Sequence, residues 1–179
     1  MRTFERVETR RLILRRPRLE DAEAIFYRYA SDRDVTRFLG WARHESLDAT
    51  RAFLQFSEAE WARWPAGPYL VVSGEDGRLL GSTGFGFETA YRASTGYVFA
   101  KDEWGKGYAT EALRAVVEIA RGIGLIRLYA LCHLENLPSW RVLEKCGFTR
   151  EGVLRQHSQF PNLRPDEPAD VLCYALILR

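Results

Sequence analysis

Apolar and polar positions recur with two periods along this chain, and each change of period marks an element. Arg11–Arg15 (RLILR) reads as a short strand flanked by arginines. From Leu19 to Ser31, Ala22, Ile25, Phe26 and Tyr29 fall at helical spacing, with Glu20 and Asp21 early, where the helix dipole favours acids. Leu47–Arg63 predicts a second helix with Phe53, Leu54 and Trp61 inward and Ser46 as its cap; Pro65, Gly67 and Pro68 end it. Tyr69–Ser73 and Leu79–Phe87 read as strands joined by a Gly74–Arg78 hairpin turn, and Thr95–Ala100 as a third strand.

The helical period then returns. Gly107–Arg121 places Ala109, Ala112, Leu113, Val116, Val117 and Ala120 on one face, and Gly122 and Gly124 close it. Leu125–Cys132 predicts a buried strand, and Pro138–Cys146 a short helix stopped by Gly147. Phe148–Leu154 and Ala169–Leu178 predict the last two strands. Between them Gln156–Glu167, next to Pro168 and containing Phe160, Pro161, Asn162 and Pro165, predicts a long loop, and loops of that length are commonly functional. Hairpins first and crossover helices later predict an α+β (α/β mixed sheet) architecture.

Length and composition narrow the class. The 179 residues fit one domain, 1–179, burying about 70% of its unfolded surface. With 46% apolar and 13% aromatic residues the chain is not a disordered one. The longest uncharged apolar stretch, Val171–Leu178, is far short of the ~20 residues of a bilayer span. The N-terminus also lacks the apolar core of a secretory signal. No membrane partner and a cytoplasmic location are therefore expected. Net charge is only +2, with 3 Lys against 23 Arg, so no strong nucleic-acid binding is expected. The cluster Arg10, Arg11, Arg15, Arg16 and Arg18 still keeps an RNA- or ribosome-binding module as an alternative. Cys132, Cys146 and Cys173 show no metal-ligand spacing and are expected to be reduced, with no bound metal.

The strongest chemical signal is the junction from Tyr97 to Ala112, YVFAKDEWGKGYATEA. A strand runs into a glycine-containing loop that opens a helix. Helix-start N–H groups lack partners and carry positive potential, Gly105 and Gly107 clear the approach, and Lys106 adds charge. This is a cradle for a diphosphate. It is not a GxxxxGK[ST] P-loop, and Gly105-x-Gly107-x-x-Thr110 lacks the third glycine of a dinucleotide fold. A third type is the acetyl-CoA loop, and a glycine turn before a plain helix is the alternative on this stretch alone.

Here the sequence resembles the GCN5-related N-acetyltransferase (GNAT) family, of the RimJ/RimL type that acetylates ribosomal-protein N-termini. The resemblance runs from Arg11-Leu12-Ile13-Leu14-Arg15 and Glu20-Asp21-Ala22 through Val35–Trp41 and Gly96-Tyr97-Val98. It continues over Asn136-x-x-Ser139 and Leu143–Phe148 to Glu151-Gly152 and Asp170. It implies a central, mostly antiparallel sheet flanked by helices, with acetyl-CoA as co-substrate. The family's Arg/Gln-x-x-Gly-x-Gly/Ala pattern falls on Trp104-x-x-Gly107-x-Ala109, so the first position departs from it. The resemblance implies cofactor binding by Val98, Phe99, Ala100, Trp104, Gly105, Lys106, Gly107, Tyr108, Ala109, Thr110, Asn136 and Ser139, with Ser139 near the thioester sulfur.

Acyl transfer to an amine needs a neutral nucleophile, a donor for the oxyanion and a stabilised thiolate. A backbone N–H near Val98 or Phe99 suits the oxyanion, and Ser139 the thiolate. Many relatives carry a Glu where this chain has Ser94 and Thr95. Glu88, Tyr97 and Glu103 stand as candidate bases in its place. A site without a strong base favours low-pKa amines, because an α-amine near 7.7–8.0 is roughly a tenth neutral at pH 7 and a Lys near 10.4 under a thousandth. Phe38 and Trp41, with Trp61 and Trp64, are expected on the acceptor side, where Arg37 and Arg43 could meet an acidic substrate. His44, His133 and His157 form no visible cluster. The expected partners are acetyl-CoA and an amine acceptor: a protein N-terminus, or alternatively a small amine such as an antibiotic or polyamine. A non-catalytic CoA-binding protein and a homodimer are further arrangements open to the chain.

Overall fold

The computed structural model describes residues 4–178. Among these, eight strands form one sheet in the order β1-β2-β3-β4-β5-β6-β8-β7. The strands are β1 (Arg6–Glu8), β2 (Leu12–Arg15), β3 (Pro68–Ser73), β4 (Leu79–Thr89), β5 (Arg92–Phe99), β6 (Arg127–His133), β7 (Thr149–Phe160) and β8 (Arg164–Ile177). Every neighbouring pair is antiparallel except β5 and β6, which run parallel. The helices are α1 (Ala22–Ile25), α2 (Arg33–Thr36), α3 (Leu47–Arg63), α4 (Tyr108–Gly122) and α5 (Leu137–Lys145).

Strand alternation decides which helix meets which face. Leu12 and Leu14 on β2, with Tyr69 and Val71 on β3, point to one side and pack under Leu113, Val116 and Ile119 of α4. Ile13, Leu70 and Val72 point to the other side, under Ile25, Tyr29 and Leu54. Both faces of β3 are covered, which is why its sequence is a continuous apolar run rather than an alternation.

The mixed sheet is as expected, but several elements differ from the sequence reading. Leu19–Ser31 is not one helix: a 3₁₀ turn at Leu19–Asp21, the single turn α1 and a π-helical turn at Phe26–Ala30 follow one another. The Ser46 side chain makes no capping hydrogen bond to α3. Strand β5 begins three residues earlier than expected, and β6 alternates buried and half-buried positions instead of being buried throughout. The three-residue β1 carried no detectable period.

The largest correction concerns Gln156–Glu167. It is not a loop but the distal part of the long β7–β8 hairpin, which turns at residues 161–163. Pro165 and Pro168 fit there because β6 pairs with β8 only as far as Val171, opposite His133. Beyond that point β8 has β7 on one side only, and an unpaired edge tolerates proline. Both strands are mostly exposed in this stretch, so no apolar alternation marks them. Their register breaks between Leu154 and Ser158. There Gln156 adopts a φ of 45° and its N–H donates to Asp170 Oδ1 at 2.8 Å.

Candidate active site

The sheet opens at its one parallel pair. β5 and β6 are in register at Arg92–Arg127, Ala93–Leu128 and Ser94–Tyr129, and do not pair beyond. From Thr95 to Phe99, β5 keeps its pairing to β4 while its other edge faces the gap. The Ala100 N–H donates to the Leu80 carbonyl at 2.9 Å. Counting back by twos along the antiparallel register, Val98 and Gly96 turn their amides to β4, and Tyr97 and Phe99 turn theirs to the gap. Val98 therefore offers a side chain to the gap's surroundings, but not its N–H.

A cavity of about 500 Å³ occupies this opening. Its lining includes Phe38, Trp41 and Phe160 as one aromatic group, and Asn136, Ser139 and Cys132 together with Gly96 and Tyr97 of β5. Among the described residues, the lining contains no Asp, Glu, Lys, Arg or His. Phe38 stacks on His133 with ring centroids 5.0 Å apart, and His133 meets the Phe160 ring edge-on at 4.9 Å. Burial lowers the His133 pKa, which favours the neutral ring. Trp61 and Trp64 do not join this wall: Trp61 is buried against Tyr69, and Trp64 stacks on Phe87. Arg37 lies over the Phe38 ring, and Arg43 pairs with Glu45.

Asn162, in the β7–β8 turn, ties the segment that carries Phe38 and Trp41 to the hairpin. Its Nδ2 donates to the carbonyls of Thr36 and Trp41, each at 2.8 Å, and its Oδ1 accepts the Arg43 N–H at 2.7 Å. Sequence reasoning missed this role, although the Pro-Asn pair in the presumed loop was its signal.

On the cavity lining, Tyr97 Oη donates to the Ser139 carbonyl at 2.6 Å and lies 3.1 Å from Ser139 Oγ. Burial pushes the Tyr97 hydroxyl well above its ordinary value, so it stays protonated and acts as a donor rather than a base. Ser139 sits in the first turn of α5, where Asn136 is the N-cap residue but makes no capping bond with its side chain. The Asn136 amide is thus not spent on the helix. Glu88 is exposed and outside the cavity lining; it accepts from Tyr129 Oη and pairs with Arg92 at 2.6 Å. Burial and the Glu88 carboxylate raise the Tyr129 pKa to about 12. Glu103 is fully buried and ringed by Arg28, Arg78 and Lys106, the last at 3.0 Å. Hydrogen bonds from Arg78 and Lys106 outweigh its desolvation and lower its pKa. A carboxylate so neutralised is an anchor for its turn and a poor base.

The loop before α4 has the shape of an anion cradle. Gly105 and Gly107 have φ of 76° and 81°, and Gly107 is the N-cap residue of α4. A Cβ on Gly105 would meet nothing within 4 Å, so the mouth is open there. Trp104, at the departing motif position, donates its indole N–H to the Phe99 carbonyl at 2.8 Å and ties the loop to the end of β5.

The arginine cluster near the N-terminus is largely engaged within the fold. Arg15 pairs with Asp21 through two bonds of 2.6 and 2.8 Å, Arg16 pairs with Glu5, and Arg11 reaches Glu111 at 2.7 Å. The three cysteines are unpaired. Among the described residues, no helix is long and apolar enough to cross a membrane.

Comparison with known proteins places the fold and the family. The chain is 35% identical over 162 residues to an uncharacterised N-acetyltransferase, YoaA, of Bacillus subtilis, covering 86% of this chain and 88% of that one. Its fold matches an acetyltransferase of the GNAT family from Bacillus anthracis with a TM-score of 0.83 at 28% identity, over 97% of this chain and 98% of the other. It also matches RimL, a ribosomal L7/L12 α-N-protein acetyltransferase solved with coenzyme A, with a TM-score of 0.87 at 23% identity, over 97% and 98% of the two chains. The family model for the acetyltransferase (GNAT) domain covers residues 11–149, and the chain belongs to that family of acetyltransferases.

Proposed function

We propose that this enzyme moves an acetyl group from acetyl-CoA to a protein N-terminal α-amine. The observation that carries the acceptor class is the cavity lining, which holds no ionised side chain among the described residues. A cavity with no carboxylate does not stabilise a cationic amine, and burial itself favours the neutral form. An α-amine near 7.7–8.0 loses its proton there at little cost, whereas a Lys or polyamine nitrogen near 10.4 does not. RimL, which shares the fold, bears a name that assigns it an α-N-protein substrate.

Bound acetyl-CoA would supply an activated acyl carbon and a thiol leaving group. The N–H groups at the start of α4, cleared by Gly105 and Gly107, would hold its diphosphate. The open edge of β5 would meet its extended arm, with Asn136 across the gap. The N–H of Phe99 or Tyr97 faces the opening and can donate to an acyl oxygen as negative charge develops on it. Tyr97, held neutral, fixes Ser139 through the serine carbonyl and leaves the Ser139 hydroxyl proton free to turn towards the opening. Phe38, Trp41 and Phe160 would shield the amine from water. The three free thiols suit a reducing, cytoplasmic setting.

A screen of acetyl-CoA consumption tests this, over peptides of varied N-terminal residue beside Nα-blocked lysine peptides and polyamines. Turnover confined to free N-termini is expected. Preference for spermidine-like amines or lysine side chains would overturn the acceptor class.

A further inference from the structure

Arg11 lies outside the loop motif, yet its side chain is built into the cradle. Both Glu111 oxygens hold it: Oε1 accepts the Arg11 main-chain N–H at 2.9 Å, and Oε2 accepts Nε at 2.7 Å. Thr9 Oγ1 adds a further bond to Glu111 Oε1 at 2.7 Å. The guanidinium lies over the Tyr108 ring, 4.5 Å from its centroid. From this anchored position Nη1 donates to the Lys106 carbonyl at 3.0 Å. Nη2 lies 3.6 Å from where a Cβ on Gly107 would stand.

The Lys106 carbonyl shares a peptide plane with the Gly107 N–H. In a trans peptide the two point in opposite directions. Holding the carbonyl towards β2 therefore turns the Gly107 N–H the other way. Gly107, with a φ of 81°, tolerates either orientation of that plane, so the loop's own sequence does not select one.

From this we infer that Arg11 is a positioning residue of the acyl-donor site: it locks the Lys106–Gly107 peptide so that the cradle's N–H groups are aimed at the diphosphate before it arrives. The inference rests on the proposed cradle at the start of α4. It also gives the Arg-Leu-Ile-Leu-Arg strand a role in donor binding. Because Glu111 neutralises its charge, Arg11 acts through geometry: pre-setting the peptide removes an ordering cost from binding.

The test separates donors with and without the diphosphate. Binding of acetyl-CoA and of S-acetylpantetheine is measured by calorimetry for the unaltered protein, Arg11→Gln, Arg11→Lys, Gly107→Glu and the exposed-charge control Arg10→Gln. Arg11→Gln should weaken acetyl-CoA roughly tenfold, the scale of one lost charge-assisted bond, and leave S-acetylpantetheine unchanged. Arg11→Lys keeps the charge but cannot reach Glu111 and the Lys106 carbonyl together, and should fall between. Arg10→Gln should match the unaltered protein. Equal weakening of both donors would mean a general structural role and overturn the inference, as would unchanged acetyl-CoA binding in Arg11→Gln. If Gly107→Glu also binds acetyl-CoA normally, the cradle itself is wrong; if Gly107→Glu fails and Arg11→Gln does not, only the role of Arg11 falls.

Discussion

Asn162→Ala is the sharpest probe of the proposed acceptor end of the cavity. The side chain makes three hydrogen bonds of 2.7–2.8 Å to the backbone at Thr36, Trp41 and Arg43. A neutral bond contributes a net ~1 kcal/mol, so the ceiling is about 3 kcal/mol. Asn162 is only half-buried, water can replace part of this, and a loss of about 2 kcal/mol is expected. For a chain of this length, that lowers the melting temperature by roughly 4–8 °C. The Phe38 stack on His133 remains, so the aromatic wall loosens rather than collapses. The acceptor KM should therefore rise about fivefold to tenfold while the dissociation constant for acetyl-CoA stays put, because a loosened wall loses uniform binding. Asn162→Asp, nearly isosteric but without the two donors, should behave alike. Steady-state kinetics against acceptor, calorimetry with acetyl-CoA and a melting curve read the three quantities. An unchanged acceptor KM with a lowered melting temperature would refute the view that this clamp shapes the acceptor site.

Further outcomes follow from the same geometry. Ser139→Ala should lower kcat by about tenfold or more while acetyl-CoA affinity changes little, as measured by initial rates and titration; equal turnover removes Ser139 from the chemistry. Tyr97→Phe should lower kcat less than Ser139→Ala, because it removes the tether of Ser139 and leaves the hydroxyl proposed to meet the thiolate. With an α-amine acceptor, the rate should climb to about pH 8 and then level; a climb continuing past 9.5 marks a lysine-like amine. Glu103 and Glu111 both have pKa values lowered from an ordinary 4.5, so their stabilisation is full above that value and is lost as pH falls through the lower folded values. Denaturation midpoints should therefore drop below about pH 4.5, and Glu103→Gln should flatten that acid limb.

The α4 helix and the loop before it were legible because their signal is local. Apolar residues at helical spacing and two glycines at a helix start report on structure within a few residues of themselves. The gap between β5 and β6 left no such mark: the strands part after Ser94 and Tyr129, 35 positions apart in the chain, and nothing in either strand's pattern records the divergence. Alternation could place Tyr97, rather than Val98, as the residue whose amide faces the gap only once the β4 register was known. The β7–β8 hairpin was unreadable for a different reason. Its distal half is exposed and contains two prolines, so it has the composition of a loop while its backbone is paired. Trp61 and Trp64 looked like acceptor-site aromatics because composition cannot distinguish a cavity wall from a core; packing against Tyr69 and Phe87 decides it.

The three walls of the site have one device in common. Arg11 holds the Lys106 carbonyl, Asn162 those of Thr36 and Trp41, and Tyr97 that of Ser139. Each joins segments at least 42 positions apart, and each accepting atom is a main-chain oxygen. A main-chain acceptor is indifferent to the side chain it belongs to. The donors Arg11, Asn162 and Tyr97 are consequently the chemically constrained partners, because only their side chains reach. The residues that supply those carbonyls keep their side chains for other contacts: Ser139 and Trp41 line the cavity, and Lys106 pairs with Glu103. Only Tyr97 is both a tether and part of the cavity lining; Arg11 and Asn162 shape the opening from outside it.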